Sequence, residues 1–151
     1  MVQFGVGIIT EDSPALYVDA ALDHNNGLTG IGFTFKIGHH EIVASENRLL
    51  LGASTPIFAE GQALLEGISW CIESQLQPAF IFSDCLNLVS KVNGDWQDYS
   101  ALSGLVSQFR LFFSNFLEAS LKYLPRQFNI DAHCLAKDAI KLREEGREEL
   151  F

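Results

Sequence analysis

The chain has 151 residues, of which 48% are hydrophobic and 19% are charged, and its formal net charge is −9. This length and composition suit one globular domain with a single buried core and exclude a disordered tail. The acidic balance is the opposite of the basic surface expected of an autonomous nucleic-acid binder, and no apolar run approaches the roughly 20 residues that span a bilayer.

The amino terminus and the cysteines bear on the cellular compartment. Residues 1–14 contain a short apolar stretch with no Lys or Arg before it and acids soon after it, which argues against a secretory signal or transit peptide. The three cysteines, Cys71, Cys85 and Cys134, cannot all pair and show no metal-site spacing, so we expect small buried or half-buried side chains. We therefore predict an intracellular protein, in the cytoplasm or the nucleus, with no membrane partner.

Three strands linked by short turns are predicted first. Residues 16–22 alternate with a period of two, which places Asp19 on the face opposite Leu16 and Val18. A turn rich in Asn and Gly leads to a second strand over residues 28–37, whose glycines indicate a bulge or the close approach of another backbone. A third strand follows over residues 41–51. The pattern predicts an antiparallel meander.

The hydrophobic period changes to that of a helix over residues 54–75. Ser54 or Thr55 can cap this helix, and Pro56 stands near its first position, where a missing N–H costs nothing. Glu60 falls on or beside the buried stripe, and Gly67 allows close packing on a sheet. A buried carboxylate is costly unless something pairs with it.

The second half of the chain predicts a β-α-α-β-α order. Residues 79–83 form a short strand buried on both faces, and its helical connection to the preceding strand implies a parallel pair. Helices are expected over residues 85–92 and 101–116, a strand over 117–123 and a last helix from 130, with Ala132, Leu135, Ala136, Ala139 and Leu142 facing inward. We divide the chain into an extension (1–13), one domain (14–143) and a charged tail (144–151).

Asp84 ends the fourth strand and has two interpretations. Ser83 or Asp84 can cap the following helix, or Asp84 can be a ligand, since open α/β sheets bind ligands at the carboxyl ends of their strands. If the first and fourth strands are neighbours, Asp19, Glu60 and Asp84 converge. Clustered acids repel one another and burial disfavours their charge, so stability does not explain such a cluster. A divalent cation removes the objection.

The sequence resembles the ribonuclease H-like fold, and within it the plant type 1 domains related to retrotransposon reverse-transcriptase polyproteins. The matching segments occur in family order over residues 16–142: VDAAL, GIGFTF, EIVAS, AEGQALLEGISWCIE, FIFSDCLNLV and YLPRQFNIDAHCLAKDA. The resemblance implies an α/β fold in which helices flank a five-stranded mixed sheet, with three antiparallel strands and two strands parallel to the first.

The resemblance also implies an activity and a site. Its enzymes are endonucleases that hydrolyse the RNA strand of RNA–DNA hybrids with two divalent ions, Mg²⁺ or Mn²⁺, and leave a 5′ phosphate. The catalytic and metal-binding positions would be Asp19, Glu60, Asp84 and, in the last helix, His133. Candidate substrate-binding residues are Asn25, Arg126 and Asn129, although Asn25 is most simply a turn residue.

Two departures from the family pattern leave an alternative open. His133 stands where the family has a fourth acid, and a neutral imidazole is a poorer magnesium ligand than a carboxylate. Asp131 cannot replace that acid, because two residues turn a helical side chain by about 200°. Tyr123 stands where some members have a histidine. The few groups that could contact phosphate are His39, His40, Arg48, Lys122, Arg126 and Lys137, so hybrid binding should be weak or assisted. The alternative is a catalytically impaired domain that binds nucleic acid or a protein partner.

Overall fold

A computed structural model describes residues 2–3, 8–9, 13–38 and 40–149. The strands within these residues are β1 (Val2–Gln3), β2 (Ile8–Ile9), β3 (Pro14–Asp23), β4 (Leu28–Ile37), β5 (Glu41–Leu51), β6 (Phe80–Ser83) and β7 (Ser120–Tyr123). The helices are α1 (Pro56–Glu73), α2 (Leu86–Asn93), α3 (Ala101–Phe113) and α4 (Ile130–Glu149). A single 3-10 turn, Arg126–Phe128, joins β7 to α4.

Five of the strands form one mixed sheet in the order β5-β4-β3-β6-β7. The pairs β3–β4 and β4–β5 are antiparallel, whereas β3–β6 and β6–β7 are parallel. The predicted five-stranded mixed sheet is therefore confirmed. In the β3–β6 pair, Tyr17 lies opposite Phe82, so β6 ends beside the middle of β3, shortly before Asp19.

Helices cover both faces of the sheet. Helix α1 packs on β3 and β4 on one face and contacts α2 and α3, and α4 packs across β3, β4 and β5 on the other. Alternate residues of β3 serve the two layers, since Leu16 and Val18 lie in the core under α1, while Ala15 and Tyr17 lie in the smaller core under α4. The predicted period of two in this strand is confirmed.

Glycines in β4 set the distance between α4 and the sheet. A Cβ atom on Gly30 would lie 2.0 Å from the carbonyl oxygen of Ala136, and one on Gly32 would lie 2.2 Å from that of Ala132. The helix backbone thus rests directly on the strand, which is the close approach that the glycines indicated. Gly67 plays the same part in α1, where a Cβ atom would lie 2.8 Å from Val18.

Some predicted boundaries were wrong. Helix α3 ends at Phe113 and β7 begins at Ser120, while Leu117, predicted in that strand, is 93% exposed. The helix was predicted too long because Phe116 continues the apolar spacing of α3. Phe116 is buried, but it lies in the hydrogen-bonded turn that follows the helix. The two-residue strands β1 and β2, which pair with each other, were not predicted.

The last helix also differs from its prediction. It continues to Glu149, through most of the segment that was predicted as a charged tail. Leu142 was predicted to face inward but is 59% exposed. The sheet has ended by this point, because Ile140 already lies beside the β3–β4 turn. The division of the chain at residues 13 and 143 stays a prediction. Within the described residues, no helix combines the length and apolar character that crossing a membrane requires.

Candidate metal centre

Three carboxylates meet where β3 and β6 run side by side. Asp19 lies in the second half of β3 and is fully buried, Asp84 directly follows β6, and Glu60 projects from α1 with 8% of its surface exposed. One oxygen atom from each residue lies within 4.8 Å of the others. The convergence expected from neighbouring first and fourth strands is confirmed.

The start of α1 determines where Glu60 points. The Thr55 hydroxyl accepts a hydrogen bond from the Phe58 N–H at 3.4 Å, and Pro56 takes the first helical position. With the helix beginning there, Glu60 falls on the stripe that faces the sheet. There the backbone N–H of Ala20, next to Asp19 in β3, interacts with its carboxylate and acts to lower its pKa.

The cluster is electrostatically unfavourable without a cation. Burial, reinforced by the negative charges of Asp19 and Asp84, raises the pKa of Glu60 to about 10. Burial and Asp19 also raise the pKa of Asp84, although Arg126 and His133 partly oppose this shift. Two buried atoms, Asp19 Oδ1 and Glu60 Oε2, have no hydrogen-bond partner. Hard oxygen donors with unused lone pairs in a group of acids fit Mg²⁺ or Mn²⁺.

Asp84 does not cap the helix that follows it. Cys85 is the N-cap residue of α2 and makes no side-chain capping bond, and the Ser83 hydroxyl accepts only the Cys85 N–H, at 3.2 Å. The capping interpretation is therefore wrong. The carboxylate of Asp84, 7% exposed, instead lies 3.3 Å from Arg126 Nε. This contact leaves Asp84 directed at the acid cluster.

His133 lies at the edge of the cluster. Its Nδ1 atom is 2.7 Å from Asp19 Oδ2, and its side chain is 24% exposed. Among the described residues, the group of mutually close ligand atoms contains the three acids and does not include His133. Its role as a fourth ligand stays a prediction.

Asn129 has a positioning role. It is 2% exposed, and its Nδ2 donates a hydrogen bond to the carbonyl oxygen of Val18 at 2.9 Å. The bond ties the start of α4 to the residue before Asp19 and so brings His133 to the acids. A buried side chain held in this way does not support the predicted substrate contact. Asn25, in contrast, is exposed in the β3–β4 turn.

One cleft lies beside the acids, and a second adjoins it. One, of about 290 Å³, is lined by Glu60, Arg126, His133 and Lys137 together with small and apolar residues. The other, of about 420 Å³, runs along the β3–β4 turn past Asn25 and shares Lys137. Lys137 was predicted as one of the few groups that could contact phosphate, and its place in this cleft agrees with that prediction. Its spacing of one helical turn from His133 was the signal that it faces the same cleft.

Arg48, another predicted phosphate contact, is already neutralised by acidic side chains. Arg48 pairs with Glu46 and Glu66 and lies over the Phe33 ring, 5.3 Å from its centre. Asp131 pairs with Lys36 at 2.6 Å, away from the acid cluster, as its helical position predicted. His39 lies outside the described residues.

The fold and the three acids define a ribonuclease H-like domain. The profile of the family described as reverse transcriptase-like matches residues 17–139, which is most of the chain. The protein therefore belongs to the reverse transcriptase-like family. No curated protein matches the sequence significantly.

Solved structures support the same fold. RNase H1 from the halophilic archaeon Halobacterium salinarum superposes with a TM-score of 0.76 at 23% identity, over 85% of this chain and 98% of that one. The N-terminal RNase H domain of a Mycobacterium tuberculosis protein gives 0.75 at 23% identity, over 89% and 98%. LC11-RNase H1 in complex with an RNA/DNA hybrid gives 0.73 at 17% identity, over 87% and 99%. At these identities the likeness establishes the fold.

Proposed function

We propose that the protein is an endonuclease that hydrolyses the RNA strand of RNA–DNA hybrids with divalent cations. The observation that carries the proposal is the group of Asp19, Glu60 and Asp84, whose ligand oxygens lie within 4.8 Å of one another where β6 ends beside β3. Structures with the same fold are RNases H1, one of them bound to an RNA/DNA hybrid, which supports this substrate class.

The acids are suited to hold the metal. Asp19, Glu60 and Asp84 would bind it, with His133 as a further ligand at the rim, and two ions of Mg²⁺ or Mn²⁺ are expected. When bound, the ions supply an activated water and stabilise the charge on the phosphate and on the leaving 3′ oxygen. The unpartnered oxygens of Asp19 and Glu60 support this assignment, since a cation would satisfy both.

Substrate contacts would come from the cleft beside the acids. Arg126 and Lys137 line it, and guanidinium and ammonium groups bind backbone phosphates. Asn25 lies on the adjoining cleft and is a further candidate contact. The net charge of −9 opposes a polyanion, so binding should be weak or assisted by another protein or domain.

A second candidate is a catalytically impaired domain that binds nucleic acid or a protein. The favouring observation is that two of the three acids already have cationic or polar partners, His133 on Asp19 and Arg126 on Asp84. With histidine in place of a fourth carboxylate, the site has less negative charge with which to retain magnesium.

Cleavage of an end-labelled RNA–DNA hybrid distinguishes the two candidates. Wild type, Asp84→Asn and His133→Asp would be compared in Mg²⁺ and in Mn²⁺. Asp131→Asn is the matched control. Asp131 lies at the start of α4, the helix that carries His133, but its carboxylate pairs with Lys36 away from the site. The nuclease requires cleavage by wild type and by the control, and its loss in Asp84→Asn.

The other outcomes of the cleavage assay show which part of the site limits the activity. A gain of magnesium-dependent cleavage in His133→Asp would show that the fourth ligand position limits the activity. Cleavage by His133→Asp alone would mean an intact scaffold with a disabled site. If neither wild type nor any variant cleaved the hybrid in either metal, the nuclease proposal would be refuted and the binding module favoured.

A further inference from the structure

Arg126 bridges solvent and the acid cluster. It is the first residue of the 3-10 turn between β7 and α4, and its side chain is 65% exposed, whereas that of Asp84 is 7% exposed. In the described part of the chain, Asp84 makes no other ion pair. The guanidinium therefore supplies the positive charge closest to Asp84 when the acids hold no cation.

The contact between Arg126 and Asp84 is weak enough for Arg126 to leave it for another partner. Arg126 reaches Asp84 through Nε alone, at 3.3 Å, and no described residue accepts a hydrogen bond from its two terminal nitrogens. A single long contact from an exposed side chain contributes little stability. Arg110 is different, since four backbone carbonyls of the α2–α3 region hold its guanidinium. Arg126 is thus free to move where Arg110 is not.

We propose that Arg126 is a phosphate ligand that metal binding releases. Asp84 holds the guanidinium while the acids lack a cation. When Asp84 binds a divalent ion, the guanidinium of Arg126 is repelled and loses its contact with the carboxylate. Arg126 is then able to bind a backbone phosphate of the nucleic acid. The delivery to phosphate rests on the proposed function, whereas the displacement by metal does not.

The exchange couples the two binding events. Charge-assisted hydrogen bonds from guanidinium to phosphate are strong and often bidentate, and Arg126 can make them only after it leaves Asp84. Metal should therefore raise the affinity for nucleic acid and, by reciprocity, nucleic acid should raise the affinity for metal. Part of this coupling should disappear when Arg126 loses its charge.

The displacement can be observed with metal alone. In ¹⁵N-labelled wild type, the Nε–H resonance of Arg126 should move towards that of a solvated arginine as Mg²⁺ is added without nucleic acid. Arg110 and Arg48 are internal controls, because their Nε atoms donate to Val92 and Glu46 away from the acids. An Arg126 resonance that stays fixed while metal saturates the site would overturn the proposal.

Calorimetric titration with Mn²⁺ and with Mg²⁺ measures the competition. Arg126→Gln should bind metal about threefold to tenfold more tightly than wild type, since a competing positive charge has gone. Arg126→Lys should stay near wild type. Lys137→Gln is the matched control, a cation of the same cleft that makes no ion pair with a described acid, and it should change the affinity less. Unchanged or weaker metal binding by Arg126→Gln would contradict the exchange.

Binding of a duplex of 2′-O-methyl RNA and DNA, which is not cleaved, tests the delivery. Arg126→Gln should weaken this binding in the presence of metal and leave it unchanged in EDTA. Equal weakening in both conditions would refute the coupling. If wild type binds no duplex while metal still moves the Arg126 resonance, the nuclease and the phosphate step fail and the displacement stands.

Discussion

Replacing Glu60 by Gln should make the metal-free protein more stable at neutral and alkaline pH. In the folded chain, burial and the charges of Asp19 and Asp84 raise the pKa of Glu60 from 4.5 to about 10. Between these two values the folded state binds a proton that the unfolded state has lost. Stability should therefore fall as the pH rises through this window, and Gln, which does not ionise, should abolish that loss.

The size of the effect follows from linkage. One proton bound only in the folded state changes the free energy of unfolding by about 1.4 kcal/mol per pH unit. From pH 6 to pH 8, wild type should thus lose about 2 to 3 kcal/mol relative to Glu60→Gln. Mg²⁺ should remove much of the difference, because a cation favours the ionised carboxylate.

Urea unfolding in EDTA, followed by the fluorescence of Trp70 and Trp96, measures both proteins at several pH values. Glu66→Gln is the matched control, since Glu66 lies on the same helix but pairs with Arg48 outside the cluster. Parallel curves of stability against pH for wild type and Glu60→Gln would refute the reasoning. If Glu66→Gln diverged from wild type in the same way, the pH dependence of stability would be a property of helix α1 in general.

Three further predictions test the packing and the metal site. Gly32→Ala should destabilise the protein by about 3 kcal/mol, because its Cβ would lie 2.2 Å from a backbone carbonyl of α4. Gly104 in α3 has open space around it, so Gly104→Ala should stabilise the protein by about 0.5 to 1 kcal/mol. Urea unfolding of each variant checks both signs. Asn129→Ala should cost about 1 to 3 kcal/mol, since it leaves a buried carbonyl of β3 unpaired, and the same assay would contradict this role if the variant were as stable as wild type. Mg²⁺ should raise the melting temperature of wild type but not of Asp84→Asn, and an equal shift in both would place the ion elsewhere.

Local pattern was enough to predict most elements and the membership of the acid cluster. The period of two around Asp19 and the helical stripe containing Glu60 depend on residues a few positions apart, and the structure confirms both. The glycines of β4 indicated a close backbone approach, which α4 makes. Patterns of this kind succeed because burial on one face repeats at the spacing of the element itself.

Tertiary structure decided what each polar group contacts. His133 meets Asp19 across 114 residues of sequence, and Arg126 meets Asp84 across 42. Asn129 is buried against Val18, a contact that the sequence did not indicate. Such pairs depend on strand order, on the register of β3 with β6 and on how α4 crosses the sheet, none of which leaves a periodic signal in the chain. The sequence by itself thus determined which acids could gather, and only the packing of distant elements determined which partners hold them.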